Sequence, residues 1–204
     1  MSVTAAQGFS AAGVRAGLKA SGKPDLALVV NDGPLDTAAG VFTTNRVVAA
    51  PVVWSRQLLA GEEGGQPGRA RAVVLNSGSA NACTGTQGMH DTEATAARTA
   101  GLLGAEPGQI LVCSTGVIGE RIDMPVLLEG VDVAALALAD TSQAGTDAAT
   151  AIMTTDTVSK EDALTVGAGD QGWTIGGMIK GVGMLAPGMA TMLAVITTDA
   201  APVS

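Results

Sequence analysis

The sequence predicts an α+β protein in which helices and strands form separate layers. Short apolar runs typical of buried strands recur along the chain, at residues 25–31, 70–75 and 109–113. Alanine-rich segments typical of helices lie between such runs, but not in the strict alternation that a doubly wound parallel sheet requires. This irregular order favours an α+β protein over an α/β protein.

The first half of the chain contains three strand-like runs followed by a long loop. Residues 25–31 (DLALVVN) form a continuous apolar run, and the Asp-Gly-Pro sequence at 32–34 supplies turn chemistry directly after it. Residues 39–43 and 47–54 are two further β-type runs. Residues 61–68 (GEEGGQPG) have the composition of an exposed loop.

The second half combines polar strand ends with helices. The strand at 70–75 leads into residues 76–85 (NSGSANACTG), and the strand at 109–113 ends in residues 114–119 (STGVIG). Small polar residues at the end of a strand are a good place for a binding site, although we assign no role to residues 76–85. Helices are predicted at residues 91–103, 123–139 and 146–153, and a hairpin at residues 164–166 and 173–175.

The composition excludes several classes of function. The 204 residues carry a net charge of −8 and contain only 2% aromatic residues, so the core must be aliphatic and no basic face is available for nucleic acid. The first residues lack the apolar segment of a signal peptide, and no apolar run reaches the ~20 residues that span a bilayer. We therefore expect a cytoplasmic protein without a nucleic-acid or membrane partner.

Cysteine and histidine are too scarce for most familiar catalytic and metal sites. Two cysteines do not make a disulfide scaffold or a zinc site, and a Ser-His-Asp triad would have to use the single histidine, His90. Cys83 and His90 could form a thiol nucleophile, but no third orienting group accompanies them, which favours a packed cysteine and a surface histidine. The glycine-rich turn predicted at 176–183 lacks the order of a phosphate-binding loop.

Residues 176–200 contain one small nucleophile, Thr191, inside an apolar run. With no histidine nearby, the simplest base for its hydroxyl is its own α-amine, which would require cleavage of the Ala190–Thr191 bond. An α-amine titrates near ~8, which suits general base catalysis. The turn at 114–116 could supply oxyanion donors. A threonine is also common in a buried strand, and the chemistry alone leaves both interpretations open.

Four motifs together resemble a known family. They are KGVGMLAPGMATMLAVITTDA, NSGSANACTG, CSTGVIG and AIMTTDT, and they resemble the ornithine acetyltransferases, also called bifunctional glutamate N-acetyltransferases, of arginine biosynthesis. The four motifs fall in the order found in that family. The resemblance implies a layered α/β/β/α sandwich that cleaves itself.

The resemblance also implies a reaction and a set of site residues. An acetyl group would move from N-acetylornithine to glutamate through an ester on Thr191, the nucleophile. Thr115 and Gly116 match the family's oxyanion hole, while Thr154, Lys180 and Thr191 match substrate-binding positions. The resemblance implies no metal and no cofactor; acetyl-CoA remains open as an alternative acetyl donor.

The resemblance further implies how the polypeptide is divided. Residues 1–190 would be an α chain, residues 191–204 the start of a β chain, and two copies of each would assemble into an α2β2 heterotetramer. Family members continue for about as much chain again, so we expect the rest of the β chain to complete the site. Two alternatives are an N-terminal-nucleophile aminopeptidase or amidase, in which water is the acceptor, and an inactive truncated fragment that only binds or assembles.

Overall fold

In the computed structural model, residues 2–167, 172–182 and 191–200 are described. They form seven strands, four α-helices and one 3-10 turn. In chain order these are β1 (Phe9–Val14), β2 (Leu26–Asn31), α1 (Ala50–Ala60), β3 (Ala72–Ser79), α2 (Gly85–Leu103), the 3-10 turn (Pro107–Gln109), β4 (Ile110–Val117), α3 (Met124–Leu136), α4 (Ser142–Ala151), β5 (Lys160–Val166), β6 (Trp173–Lys180) and β7 (Leu193–Thr198). The α+β prediction is confirmed.

The larger sheet contains the first four strands in the order β1-β2-β3-β4. β1, β2 and β3 pair antiparallel, whereas β3 and β4 run parallel because helix α2 connects them. The parallel register aligns Ser77 with Thr115 and Gly78 with Gly116. The polar ends of β3 and β4 therefore lie side by side at one edge of the sheet.

Both faces of this sheet are buried, which explains the continuous apolar run of β2. Leu26, Leu28 and Val30 face the layer of helices α1, α2 and α3. Ala27 and Val29 face the opposite side, where α4 and the second sheet lie. Apart from Trp54 on the side of the helices, the side chains of both cores are thus mainly aliphatic, as the scarcity of aromatic residues predicted.

Glycine and alanine allow α4 to lie close to the larger sheet. A Cβ atom on Gly13 of β1 would stand only 2.0 Å from the carbonyl carbon and oxygen of Asp147 in α4. The facing side chains of α4 include Ala144, Ala148 and Ala149, all buried. Small residues on both elements bring the end of α4 close to the polar ends of the strands.

The second sheet contains β5, β6 and β7, all antiparallel, with β6 in the centre. Its inner face carries Met178 and Val195, which pack into the core beneath α4. Its outer face forms an apolar trough among the described residues, and the exposed side chains there include Leu164, Ile175, Ile179 and Ile196. The described residues thus form a helical layer, a four-stranded sheet and a layer of α4 with the second sheet.

The strand predicted at residues 47–54 is wrong. Ala50–Ala60 is a helix in which Pro51 stands in the first turn, where its missing N–H costs no hydrogen bond. Its buried residues Pro51, Trp54, Ser55 and Leu58 follow helical spacing, a pattern that the two adjacent valines obscure. The Ser55 hydroxyl donates to the Val112 carbonyl (2.9 Å) and accepts from the Val112 N–H (3.0 Å), which satisfies buried backbone groups of β4 that have no partner strand among the described residues. Residues 39–43 form no strand either.

Other boundaries shift by a few residues, and one strand was not predicted. β1 was missed because its small residues FSAAGV show little alternation. β3, β4 and β6 continue into segments predicted as loops or turns, and α2 begins at Gly85 rather than residue 91. The hairpin of β5 and β6 and the loop at 61–68 are as predicted. No helix in the described ranges combines the length and apolar character needed to cross a membrane.

Candidate active site

Lys180, the last residue of β6, brings together three residues predicted from separate motifs. Its Nζ donates hydrogen bonds to Thr154 Oγ1 (2.8 Å), Thr115 Oγ1 (3.3 Å) and the Thr191 carbonyl oxygen (3.2 Å). These partners lie at the end of β4, after α4 and before β7, far apart in the sequence. The structure therefore joins Thr115, Thr154, Lys180 and Thr191 into one cluster, hereafter the lysine cluster.

The ammonium group of Lys180 is buried, with only 2% of the residue exposed. Burial lowers the pKa of Lys180 below its usual value, Asp156 opposes this effect, and Lys160 adds to it. An ammonium group has three donors, and all three have acceptors here. The cluster is consequently a cationic site whose charge is satisfied by neutral oxygens.

Thr115 and Gly116 belong to β4 itself rather than to a turn after it. Thr115 is 2% exposed, and its oxygen accepts from Lys180, so its own O–H proton remains free to donate elsewhere. Gly116 has a φ of 138°, and a Cβ there would lie 2.3 Å from the carbonyl carbon and oxygen of Gly78. Only glycine fits this point of contact between β3 and β4.

Thr154 stands in the turn after α4, and a buried carboxylate holds this turn. Asp156 accepts the Thr154 N–H (3.3 Å) and the Gly181 N–H (3.0 Å). Burial alone would raise the pKa of Asp156, but hydrogen bonds from Lys160, Gly181 and Thr154 outweigh it and lower the pKa to about 2. Asp156 therefore remains a carboxylate at neutral pH.

Thr191 lies two residues before β7 and is half-buried. Its carbonyl, rather than its hydroxyl, is the group bonded to Lys180. It is thus not a core strand residue, which was the alternative interpretation of this position. Ala190, the other residue of the predicted cleavage site, lies outside the described residues, as do residues 183–189 of the glycine-rich segment.

The thiol–imidazole pair considered from the sequence is not formed. Cys83 is exposed and has a φ of 60°, so the expectation of a packed cysteine is wrong; His90 is exposed in α2, as expected of a surface histidine. Cys113, the other cysteine, lies in β4, and burial raises its pKa to about 12. Neither thiol belongs to the lysine cluster.

Residues 76–85 form a strand end and a helix entry instead of one loop. Asn76 accepts a hydrogen bond from the Ser114 hydroxyl, which joins β3 to β4 directly before Thr115. Asn81 donates to the Gly88 carbonyl (2.8 Å) and to Thr92 Oγ1 (3.0 Å), which fixes the first turn of α2. The motif thus supports the strand that carries Thr115.

Residues 10–203 match the ArgJ family over almost the whole chain. The chain belongs to the ArgJ family. The resemblance recognised from the four motifs is therefore confirmed, and the cluster at Lys180 is built from the residues that carried it.

ArgJ proteins of Bifidobacterium and Streptomyces are similar to this chain. The chain is 60% identical to the arginine biosynthesis bifunctional protein ArgJ of Bifidobacterium longum over 201 residues and 59% identical to that of Streptomyces coelicolor over 200 residues. In both cases the match covers 98% of this chain and 49% of the relative. The chain thus spans about half the length of the curated relatives it matches.

Two solved structures share the fold. One is ornithine acetyltransferase from Mycobacterium tuberculosis complexed with ornithine, with a TM-score of 0.84, 50% identity and coverage of 94% of this chain and 96% of that chain. The other is the arginine biosynthesis bifunctional protein ArgJ from Bacillus halodurans, with a TM-score of 0.83, 35% identity and 95% coverage of both chains.

Sequence reasoning missed two charged residues beside this ArgJ site. Asp156 follows Thr154 by two positions within the TTD sequence, a signal that could have identified it. Lys19 gives no such signal, since it lies in a loop between β1 and β2. Its Nζ donates to the carbonyls of Pro24 (2.7 Å) and Ala151 (3.3 Å) at the end of α4, and burial lowers its pKa.

Proposed function

We propose that this chain is the nucleophile-bearing part of a glutamate N-acetyltransferase that moves acetyl from N-acetylornithine to glutamate in arginine biosynthesis. The observation that carries the proposal is the convergence of Thr115, Thr154 and Thr191 on the Lys180 ammonium group. The names of the relatives and the ornithine bound by the Mycobacterium tuberculosis protein support this choice of substrates.

The first step is self-cleavage at Ala190–Thr191. The Thr191 hydroxyl attacks the Ala190 carbonyl carbon, the Thr191 nitrogen leaves as a free amine, and water hydrolyses the resulting ester to release the carboxylate of Ala190. The new α-amine is then the base that the reaction requires. The Mycobacterium tuberculosis chain is about as long as this one, whereas the curated relatives of the family are about twice as long. This difference in length supports such a division of the polypeptide.

Acetyl transfer then proceeds in two halves. The α-amine of Thr191 accepts the hydroxyl proton while Oγ1 attacks the acetyl carbonyl of N-acetylornithine, and the ornithine amine departs with a proton. The glutamate amine next attacks the acetyl ester and restores the hydroxyl. Each half passes through a tetrahedral oxyanion, which must be stabilised by donors already in place.

Thr115 and Gly116 are the proposed donors to this oxyanion. Since Lys180 has no acceptor atoms, the Thr115 hydroxyl can only accept from it, and its proton is available for the oxyanion. The neighbouring ammonium group strengthens this donor, because a hydroxyl that accepts a charged hydrogen bond becomes a better donor itself. Gly116 allows the backbone N–H of β4 to be approached without a side chain.

Lys180 and Thr154 are the proposed substrate-binding residues. Both substrates carry a carboxylate, and a buried cation in an acidic protein is suited to hold it. Because all three donors of Lys180 already have acceptors, a substrate carboxylate must replace one of them. We expect the Thr191 carbonyl to be the acceptor replaced, since cleavage would make Thr191 a chain terminus whose backbone is held on one side only.

The proposed partner is the rest of the family's polypeptide. We infer that it continues from Thr191 as a β chain, covers the apolar outer face of the second sheet and provides the fourth layer of the α/β/β/α sandwich. The exposed side chains of Leu164, Ile175 and Ile196 support this inference, since a face of this kind is normally covered. An α2β2 heterotetramer in the cytoplasm, where amino acids are made, completes the proposal.

The decisive assay supplies N-acetylornithine to the full-length protein with and without glutamate. Acetylglutamate formed only with glutamate is the expected result, whereas acetate released regardless of glutamate would instead indicate an amidase. A parallel reaction with acetyl-CoA and glutamate tests whether a second donor is used. Binding without any turnover would overturn the enzymatic proposal.

Intact mass spectrometry tests the cleavage separately. The full-length protein should separate between Ala190 and Thr191, and Thr191→Ala should remain one uncut and inactive chain. Thr198→Ala, which changes an exposed threonine at the end of β7, should still be cut. Cleavage of the Thr191→Ala variant at this bond would refute the self-cleavage mechanism.

A further inference from the structure

Asp156 lies beneath the lysine cluster rather than in it. Its side chain is 1% exposed, so it has no surface with which to touch a substrate. It nevertheless contacts three separate elements: the turn after α4, the end of β6 and the start of β5. A buried carboxylate destabilises the fold unless it is paired and hydrogen-bonded. The donors to Asp156 are the backbone N–H of Thr154, the backbone N–H of Gly181 and the ammonium group of Lys160.

The two carboxylate oxygens have different partners. Oδ2 accepts the backbone N–H of Thr154 at 3.3 Å. Oδ1 accepts the backbone N–H of Gly181 at 3.0 Å and the Nζ of Lys160 at 2.5 Å. Oδ2 therefore holds Thr154, whose hydroxyl accepts a hydrogen bond from Lys180. Oδ1 holds Gly181, the residue directly after Lys180.

These two contacts define the spacing between Thr154 and Lys180. Gly181 has a φ of 150°, a conformation that favours glycine, so the chain departs from β6 directly after the lysine. A carboxylate that accepts both N–H groups ties this departure to the turn that carries Thr154. Without the Asp156 carboxylate, the two backbone segments would lose their common anchor. The 2.8 Å hydrogen bond between Lys180 Nζ and Thr154 Oγ1 would then no longer be held in place.

The charge of Asp156 acts on the same lysine. Asp156 favours the protonated form of Lys180, whereas Lys160 on β5 disfavours it, and Lys19 from the loop before β2 is a further nearby cation. Asp156 is thus the anion that acts on Lys180 among the described groups. The charged groups that oppose Asp156 near Lys180 are the two lysines, Lys160 and Lys19.

We propose that Asp156 is a positioning residue for acetyl transfer, which anchors the Thr154 turn to the end of β6 and keeps the Lys180 ammonium charged and correctly placed for the substrate carboxylate. This inference rests on the proposed function.

The test compares Asp156→Asn with Asp162→Asn in the full-length protein. Asp162 is an exposed aspartate of β5 whose side chain, within the described ranges, accepts a hydrogen bond from the neighbouring Ala163 N–H alone, so its variant should behave like the wild type. Asp156→Asn replaces a carboxylate oxygen by an amide donor facing other donors. We expect its KM for N-acetylornithine to rise at least about tenfold, which corresponds to the loss of one charge-assisted contact, with a smaller change in kcat.

The pH dependence separates positioning from general damage to the fold. The KM of the wild type should rise at alkaline pH as Lys180 loses its proton. In Asp156→Asn this alkaline rise of KM should occur at lower pH, because the anion that raises the pKa of Lys180 is removed. In Lys160→Met it should occur at higher pH, because a cation that lowers the same pKa is removed. A merely structural role would not move this rise in opposite directions.

The outcomes distinguish this inference from the proposed function. If the wild type forms no acetylglutamate, both fail. If the wild type is active and Asp156→Asn matches Asp162→Asn in KM and in its alkaline rise, only the positioning role is overturned. If Asp156→Asn does not fold, Lys160→Met decides, since the Lys160 side chain is 39% exposed; an unshifted alkaline rise of KM in that variant would overturn the inference.

Discussion

Replacing Gly116 with alanine should force β3 and β4 apart at the proposed oxyanion hole. The new Cβ would lie 2.3 Å from the Gly78 carbonyl carbon and oxygen and 2.7 Å from the Ser79 nitrogen. Real Cβ atoms essentially never approach closer than 3.0 Å, so one strand must move by at least ~0.7 Å. The obstruction is backbone, which cannot rotate away as a flexible side chain can.

Gly119→Ala provides a matched control for backbone strain. Gly119 also has a positive φ, of 86°, but a Cβ there would meet nothing within 4 Å. Both substitutions should therefore cost about 1–2 kcal/mol for the unfavourable backbone conformation. Gly116→Ala should cost about 1–3 kcal/mol more, because the interior around it is already filled.

Thermal unfolding of the full-length variants and acetylglutamate formation measure the two effects. We expect Gly116→Ala to unfold at lower temperature than Gly119→Ala and, if it folds, to lose about 10²–10³-fold in kcat, as is typical when one oxyanion donor is displaced. Equal melting temperatures and equal kcat for the two variants would refute the argument that Gly116 is required for the close contact and the oxyanion hole.

Three further predictions follow from the charges and thiols. Because burial lowers the pKa of Lys180, a steady-state pH profile should show the KM of the wild type rising at a pH below the 10.5 of an ordinary lysine, and Lys180→Arg, which stays charged, should lack this rise despite weaker binding. Because the folded pKa of Asp156 is depressed to about 2, its contribution to stability should be complete above pH ~4 and lost as the pH falls towards 2. Calorimetry of the wild type should show the free energy of unfolding falling on the order of 1–2 kcal/mol over this range, and Asp156→Asn should lack this decrease. Iodoacetamide at pH 8 should label Cys83 and spare Cys113, whose pKa burial raises to about 12; equal labelling by peptide mass spectrometry would contradict the described burial.

Local sequence was a good guide wherever periodicity and turn chemistry agreed. The apolar run before Asn31, the loop at 61–68 and the hairpin of β5 and β6 follow directly from local pattern. The helix at Ala50–Ala60 was misread because valine favours strands locally, while its burial against β4 depends on Trp54 and Ser55 meeting partners more than 50 residues away.

Motif chemistry identified the candidate site residues, and the fold explains why they meet. Thr115 belongs to β4, Thr154 to the turn after α4 and Thr191 to the segment before β7, and nothing in their spacing indicates contact. The resemblance to a family supplied that connection in advance. Asp156 and Lys19 escaped notice because their role depends on neighbours in space, not in sequence.

The sequence by itself determined the α+β class, the aliphatic core, the family and the identity of the candidate residues around Thr191, since each depends on composition or on contiguous motifs. Only the tertiary structure decided that Lys180 stands between three threonine groups and that a buried carboxylate anchors two of the surrounding segments. The physical reason is that hydrogen bonds and ion pairs act over about 3 Å, and the folding of two sheets onto one helix brings cluster residues as far as 65 positions apart within that reach.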